Sequence, residues 1–384
     1  MRDFISTIAK KKLPGKETFE ILTKNHSHDT ISLGMGEPDL QLPENIFDCC
    51  AMKSEYSPPS GIQQLKNAIC RKLEKENRIS AQPENIVVTC GATEGLFLSG
   101  LATVNPKDEI IIPDPTFIIL RSMFEIFGSK SVPLQLREQE KFKLNTDDMR
   151  KAVTSNTKII VLNSPSNPTG AVFDKKLLEE VADIAIEHDL LVFSDEAYEN
   201  LIYEGHHNSI ASLNGMIDRV VSFYTFSKTW AIPGFRLGYL CAPPDIAQSI
   251  TKLHPYTTIC APTISQILGT YLLENSDNLR HHIVFMRNEY KKRRDLIVRR
   301  LNELGLRTMN PEGAFYTFSD ISSFSGNSIA FANTILKKAK VAVVPGSEFG
   351  KYGEGYVRCS YTVPICKIEE AMNRIENNLK HLNC

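Results

Sequence analysis

Between residues 86 and 241 short apolar runs alternate with helical stretches, and the runs are unbroken rather than alternating in polarity. They are Ile86-Val87-Val88-Thr89, Glu109 to Ile112, Ser131 to Leu134, Lys158 to Leu162, Leu190-Leu191-Val192-Phe193, Val220 to Tyr224 and Leu237 to Cys241. A strand with one wet face alternates apolar and polar residues; an unbroken apolar strand is buried on both faces. Helical patterns precede and separate these runs: through Leu65, Ile69 and Leu73, on to about Val104, to Phe127, around 146–153, and from Asp174 to about His188. The alternation predicts an α/β fold with a mostly parallel sheet covered by helices. In such sheets ligands bind beyond the carboxyl ends of the strands, so residues at those ends are the first candidates for a site.

The 384 residues exceed what one core usually holds. After Cys241 a long helix from about Ile283 to Leu304 stops at Gly305. A smaller α+β domain follows, with strands Ala314 to Phe318, Val341 to Val344 and Tyr356 to Tyr361 and a last helix from Ile368. The expected division is 1–45 as an N-terminal arm and part of the small domain, 46–282 as the large domain and 283–384 as the small one. A net charge of −1 gives no footprint for nucleic acid, and Lys291 to Arg294 read as a solvated helix face. Nine scattered cysteines, with no C-x-x-C pair, argue against a disulfide framework or a zinc site and for a reducing, cytoplasmic setting. Adjacent Cys49 and Cys50 read as packing residues. No secretory pattern stands at Met1 to Gly15, and no apolar run is long enough to span a membrane.

The stretch Val220 to Gly238 carries the most chemistry. An apolar strand ends in Thr225, Phe226, Ser227 and Lys228, and Arg236 stands ahead of the next strand. A lysine on a tight loop, between small hydroxyl residues and near a guanidinium, suits a Schiff base beside a bound phosphate. Other strand ends supply what pyridoxal 5'-phosphate requires. Asp195 is placed to keep a pyridine nitrogen protonated, which makes the ring an electron sink. Tyr198 and the Asn167 amide can donate to the ring oxygen. Thr225, Arg236 and the helix start at Ala92 and Thr93 can hold the phosphate, since free N–H groups at a helix N-terminus favour an anion. Phe117 can stack on the ring, and Arg358 can grip a substrate carboxylate with both arms. Each has a plain structural counterpart: Asp195 as a cap, Tyr198 and Phe117 as core, Arg236 as a surface charge, Arg358 as half of a buried ion pair. Their joint occurrence at strand ends and loops favours the site.

Eight stretches resemble the class I/II aminotransferases, which are fold-type I pyridoxal phosphate enzymes. They are Gly36-Glu37-Pro38-Asp39, Tyr56 to Gly61, Gly91-Ala92-Thr93, Asn163 to Gly170, Asp195 to Tyr198, Ser227-Lys228 with Gly234 to Gly238, Pro311 to Tyr316, and Arg358. The resemblance covers almost the whole chain and implies a seven-stranded type of sheet in the large domain. It implies transfer of an amino group between an L-amino acid and a 2-oxo acid by a ping-pong mechanism, with Lys228, Asp195 and Tyr198 as catalytic residues. It further implies a homodimer with shared active sites, in which Tyr56 reaches the neighbouring subunit's phosphate. Gly36 backbone, with Asn167 and Arg358, then lies near the substrate. Phe117 departs from the tyrosine of many members, and no second arginine can be assigned to a side-chain carboxylate, so the substrate stays open. The same anchor residues also fit a β-eliminating carbon–sulfur lyase or a non-catalytic cofactor-binding regulator. A nucleotide-dependent dehydrogenase ranks last, because no G-x-G-x-x-G follows the first strand.

Overall fold

The computed structural model describes residues 29–43, 46 and 55–379. Residues 1–28, 44 and 45 of the expected first segment and the pair Cys49 and Cys50 lie outside the described residues. The strands are β1 (Ile31–Ser32), β2 (Ile86–Thr89), β3 (Glu109–Asp114), β4 (Lys130–Gln135), β5 (Thr157–Asn163), β6 (Leu191–Asp195), β7 (Val220–Thr225), β8 (Gly238–Cys241), β9 (Tyr316–Asp320), β10 (Val341–Ala342), β11 (Val344–Pro345) and β12 (Tyr356–Ser360). Seven of them form one sheet in the order β2-β8-β7-β6-β5-β3-β4. From β7 to β4 every pairing is parallel. β8 alone runs against both its neighbours.

Successive residues of these strands enter opposite apolar layers, which is why the runs are unbroken. Ile110, Ile112, Ile159, Val161, Phe193 and Val221 pack with Leu96 and Leu98 of helix Ala92–Thr103 and Phe124 of helix Ile118–Ile126. Ile111, Ile160, Leu162, Val192 and Val220 pack on the other side, with Leu65 and Ile69 of helix Gln63–Lys72 and Val181 of helix Lys175–Glu187. Helix starts follow local chemistry: Asp174 accepts the Leu177 N–H at 3.0 Å, and Asn145 accepts that of Asp148 at 3.0 Å.

A third apolar cluster lies under a separate antiparallel sheet, β11-β12-β9. It joins Phe315, Val357 and Cys359 to Met286, Tyr290 and Ile297 of helix Ser276–Glu303 and to Ile368 and Met372 of helix Ile365–Leu379. The run expected as one strand, Val341 to Val344, is split: β10 pairs in parallel with β1, and β11 pairs with β12. Four apolar residues thus cross between two sheets, which polarity alone does not reveal. The long helix begins at Ser276, earlier than expected, because its first turns (Ser276-Asp277-Asn278) carry no apolar stripe. Among the described residues no helix is long and apolar enough to cross a membrane.

Candidate active site

The antiparallel β8 brings the two halves of one loop together. Thr225 at the end of β7 pairs with Gly238 at the start of β8, and Thr89 of β2 pairs with the same glycine. The connection Phe226 to Leu237 is therefore closed at its base, with Lys228 near one end and Arg236 at the other. The Thr225 hydroxyl accepts the Ser227 N–H at 3.2 Å and reaches Leu237 O at 3.4 Å, capping the helical turn Phe226–Thr229. Lys228 leaves that turn into a cavity of about 290 Å³, where its Nζ donates to Gly36 O at 2.5 Å. Burial, then the positive charge of Arg358, pull the amine down to about 8; Glu37 opposes the shift and Arg236 adds the least to it.

Asn163 and Asp195 end neighbouring strands and face each other in register. Asp195 is buried; it accepts from Asn163 Nδ2 at 3.1 Å and from the Ala197 N–H at 3.2 Å. Burial pushes its carboxyl up to about 7, the neighbouring Glu196 adds to the rise, and these two hydrogen bonds oppose it. Asn163 Oδ1 also accepts the Asn167 N–H at 2.8 Å, so one side chain fixes both Asp195 and the loop carrying Asn167. The Tyr198 hydroxyl lies 2.8 Å from that of Tyr316.

The start of helix Ala92–Thr103 has no side-chain cap; its N-cap is Gly91, at φ 81°. A Cβ on Gly91 would lie 2.7 Å from Arg236 Nη2, and one on Gly238 would lie 2.6 Å from Ala92 N. Two glycines thus allow a guanidinium and an open helix end to face the same space, which is a cradle for an anion. Arg236, exposed and at φ 50°, is held by its donation to Pro233 O at 3.0 Å and Cys90 O at 3.3 Å. Glu94, in the first turn, would compete with an anion. Its carboxylate is instead turned to the Cys90 N–H (2.6 Å), His254 (3.1 Å) and the Thr258 hydroxyl (2.7 Å).

Arg358 lies in the middle strand of the small sheet, with Val344 and Phe318 as its register partners. It is 6% exposed. Its Nη1 donates to Asn167 Oδ1 at 2.9 Å and its Nη2 to Gly34 O at 2.6 Å, while Nε has no partner. Its guanidinium stands 4.3 Å from the ring centre of Tyr316 and 4.9 Å from that of Phe349. The buried ion pair considered as its structural role is absent: no carboxylate among the described residues bonds it. A buried, oriented guanidinium without a counter-charge is strained unless an anion joins it.

The cavity collects Gly36, Ala92, Thr93 and Phe117, then Asn167, Asp195, Tyr198 and Thr225, and finally Lys228, Arg236 and Arg358. Phe117 is half-buried at its wall, ahead of helix Ile118–Ile126. Tyr56 is not there; its side chain is 81% exposed. Asn163, Phe315 and Tyr316 were not singled out by sequence reasoning. Phe315 lies 5.4 Å from Lys228 Nζ. The stretch Pro311 to Tyr316 carried resemblance, but nothing in its pattern separates these rings from ordinary core. The donor set fits pyridoxal phosphate: an amine held near neutrality, a carboxyl awaiting a cationic partner, and a glycine-walled anion cradle.

Comparison with known proteins agrees. The family described as aminotransferase class I and II matches residues 29–375. The chain is 43% identical over 359 residues to an aspartate aminotransferase of Pyrococcus abyssi, covering 92% of each. It is 42% identical to aromatic-amino-acid aminotransferase 2 of Thermococcus litoralis, covering 91% of this chain and 92% of the other. Among solved structures, the aspartate aminotransferase of Thermus thermophilus with maleate superposes with a TM-score of 0.93 at 32% identity, covering 98% of this chain and all of the other. Sequence kinship over nearly its whole length and a lysine-centred cavity at the strand ends lead to one conclusion: the chain belongs to the class I and II aminotransferases and is a pyridoxal phosphate-dependent transaminase.

Proposed function

We propose that this cavity holds pyridoxal 5'-phosphate and transfers amino groups between an L-amino acid with an apolar or aromatic side chain and a 2-oxo acid. One observation carries the reading: the amine of half-buried Lys228 and a buried guanidinium share a cavity, and neither bonds a carboxylate among the described residues. Ala92, Thr93, Thr225 and Arg236 would hold the phosphate, Asp195 the ring nitrogen, and Tyr198 and the Asn167 amide the ring oxygen, with Phe117 against the ring. When bound, the cofactor supplies an electron sink for the electrons left as the Cα–H bond breaks.

The chain's own residues do the rest. Arg358 takes the substrate carboxylate, through its unpartnered Nε edge, and so orients Cα. Lys228, neutral above about pH 8, is the nucleophile and then moves the proton at Cα as general base and acid. The Gly36 carbonyl holds the amine in position, and Asn163 keeps Asp195 aimed. The same residues serve both half-reactions of a ping-pong cycle.

Met35, Leu96, Ile118 and Ile119 give the cavity apolar walls. Among the described residues an acidic side chain meets no cation there beyond Lys228, Arg236 and Arg358, each already given a task. Donor specificity is tested by kcat/KM for phenylalanine, leucine, aspartate and glutamate against a common 2-oxo acid. Phenylalanine or leucine is expected to lead, and a tenfold preference for aspartate would overturn the apolar reading.

The exposure of Tyr56 and of Tyr256, 81% and 86%, supports a homodimer in which Tyr56 serves the neighbouring subunit's phosphate. The domain division at 45 and 282 is supported by the separate sheets and by β1, whose pairing with β10 ties the first segment to the small domain. The second boundary falls within helix Ser276–Glu303. Free thiols at Cys241 and Cys359 support a cytoplasmic setting.

A further inference from the structure

Tyr316 is the first residue of β9, and three independent parts of the site converge on it. Among the described residues its hydroxyl has one hydrogen-bond partner, the Tyr198 hydroxyl at 2.8 Å. One ring face lies 4.3 Å from the Arg358 guanidinium carbon. The hydroxyl also occupies the place of a side chain at position 36: a Cβ on Gly36 would stand 1.8 Å from it. Gly36 in turn accepts the Lys228 amine.

The ring cannot drift from these contacts. It is 2% exposed, and β9 holds it against Ser360 in register with β12, the strand of Arg358. Just before it, the Ala314 N–H donates to Leu201 O at 2.8 Å, tying β9 to the segment that carries Tyr198. Neighbouring Phe315 meets the Tyr198 ring edge-on at 5.2 Å.

From this geometry we infer that Tyr316 is a positioning residue for the transamination, acting through Tyr198 and Arg358 by separate parts of one side chain. The inference rests on the reading of Tyr198 and Arg358 given above. A phenol has one proton. If Tyr198 donates into the cavity, to the ring oxygen, its oxygen must take the Tyr316 proton as acceptor. Tyr316 is then the group that points the Tyr198 proton at the cofactor. Its ring, meanwhile, forms one wall of the slot that keeps the Arg358 guanidinium aimed at the substrate carboxylate. The charged groups around Tyr198 are Arg358 and Asp195, on the two sides of the same cavity.

The two functions separate by substitution. Tyr316→Phe keeps the ring and removes the proton; Tyr316→Leu removes both. For the phenylalanine variant kcat is expected to fall about tenfold, the size expected when one hydrogen bond is lost, with KM for the amino acid unchanged. The pH midpoint of the bound cofactor's visible absorbance is expected to rise by about half a unit or more, because a weaker donor leaves negative charge on the ring oxygen less stabilised. The leucine variant is expected to raise KM as well. Tyr198→Phe shifts the midpoint in the same direction, and the Tyr198→Phe, Tyr316→Phe pair shifts it no further than Tyr198→Phe alone, since one residue acts through the other.

The outcomes separate. No shift in Tyr198→Phe overturns the assignment of Tyr198 itself. A shift in Tyr198→Phe with none in Tyr316→Phe, or additive shifts in the pair, overturns the coupling and returns Tyr316 to the core. Should Tyr316→Leu fail to fold, the phenylalanine variant and the pair still decide the matter.

Discussion

Lys228 and Asp195 are both held away from their ordinary ionisation, in directions that prepare them for a partner. The amine, lowered to about 8 by burial and then by Arg358 and Arg236, is half neutral at that pH. Capture of free aldehyde cofactor by the apoprotein needs the neutral form. Its rate is therefore expected to rise about tenfold between pH 7 and pH 9 and then level off. Stopped-flow absorbance measures this directly; a rise continuing to pH 10 would show an unperturbed lysine. Asp195 is shifted the other way, up to about 7 by burial. An acid whose folded pKa is raised keeps its proton in the folded state while the unfolded chain has lost it. The apoprotein accordingly loses stability as pH rises from about 4 to about 7. Asp195→Asn removes that penalty. Its apo form is expected to melt higher than the parent at pH 8 and at the same temperature near pH 4, yet to retain cofactor about 10- to 100-fold less tightly. Calorimetry of both apoproteins checks the first part and equilibrium dialysis the second; equal melting at pH 8 would show that the carboxyl is not held up by burial.

At the scale of elements, the phosphate cradle belongs to no single segment. It is the meeting of β2, β8 and the uncapped helix Ala92–Thr103, brought together at Gly91 and Gly238. Gly91→Ala is expected to weaken cofactor binding at least tenfold, because the residue sits at φ 81° and its Cβ would press on Arg236. Inorganic phosphate as a competitor provides the readout: the variant is expected to lose inhibition by phosphate in parallel, and unchanged phosphate affinity would place the anion elsewhere. Strand ends were legible in sequence because burial on both faces leaves an unbroken apolar signature that stops where the site begins. Lys228, Asp195 and Asn167 were found that way. Tyr316 was not, since the first residue of a buried strand looks the same whether its hydroxyl is idle or bonded to Tyr198. Nor was the tie between Glu94 and His254, far apart in sequence, that turns an acid away from the anion cradle. Such pairings depend on the tertiary approach of segments whose local patterns are ordinary. Arg358 was legible as unusual, a charge inside an apolar strand, but only the structure shows that no acid meets it.

At the scale of the whole molecule, Tyr56 stands exposed at the surface and outside its own chain's cavity. If it completes the neighbouring subunit's phosphate site, two inactive variants can repair one another. Lys228→Ala supplies an intact Tyr56, and a Tyr56→Ala chain supplies an intact Lys228. Hybrid dimers formed by mixing and exchange are expected to regain one complete site in two. Activity no greater than the sum of the separate variants would place Tyr56 outside the partner's site.

The closed base of the loop from Thr225 to Gly238 has one more consequence. The phosphate's proposed anchors within this chain, Ala92, Thr93, Thr225 and Arg236, hang from a single sheet, and backbone pairing across β7, β8 and β2 fixes Lys228 and Arg236 to one another. Arg358 hangs from a different sheet. Rocking between the two sheets would change the hold on the substrate and, through Arg358 to Asn167 and Tyr316 to Tyr198, the donors to the ring oxygen, while leaving the phosphate's anchors in place. Release of product therefore need not carry the phosphate's anchors along with it.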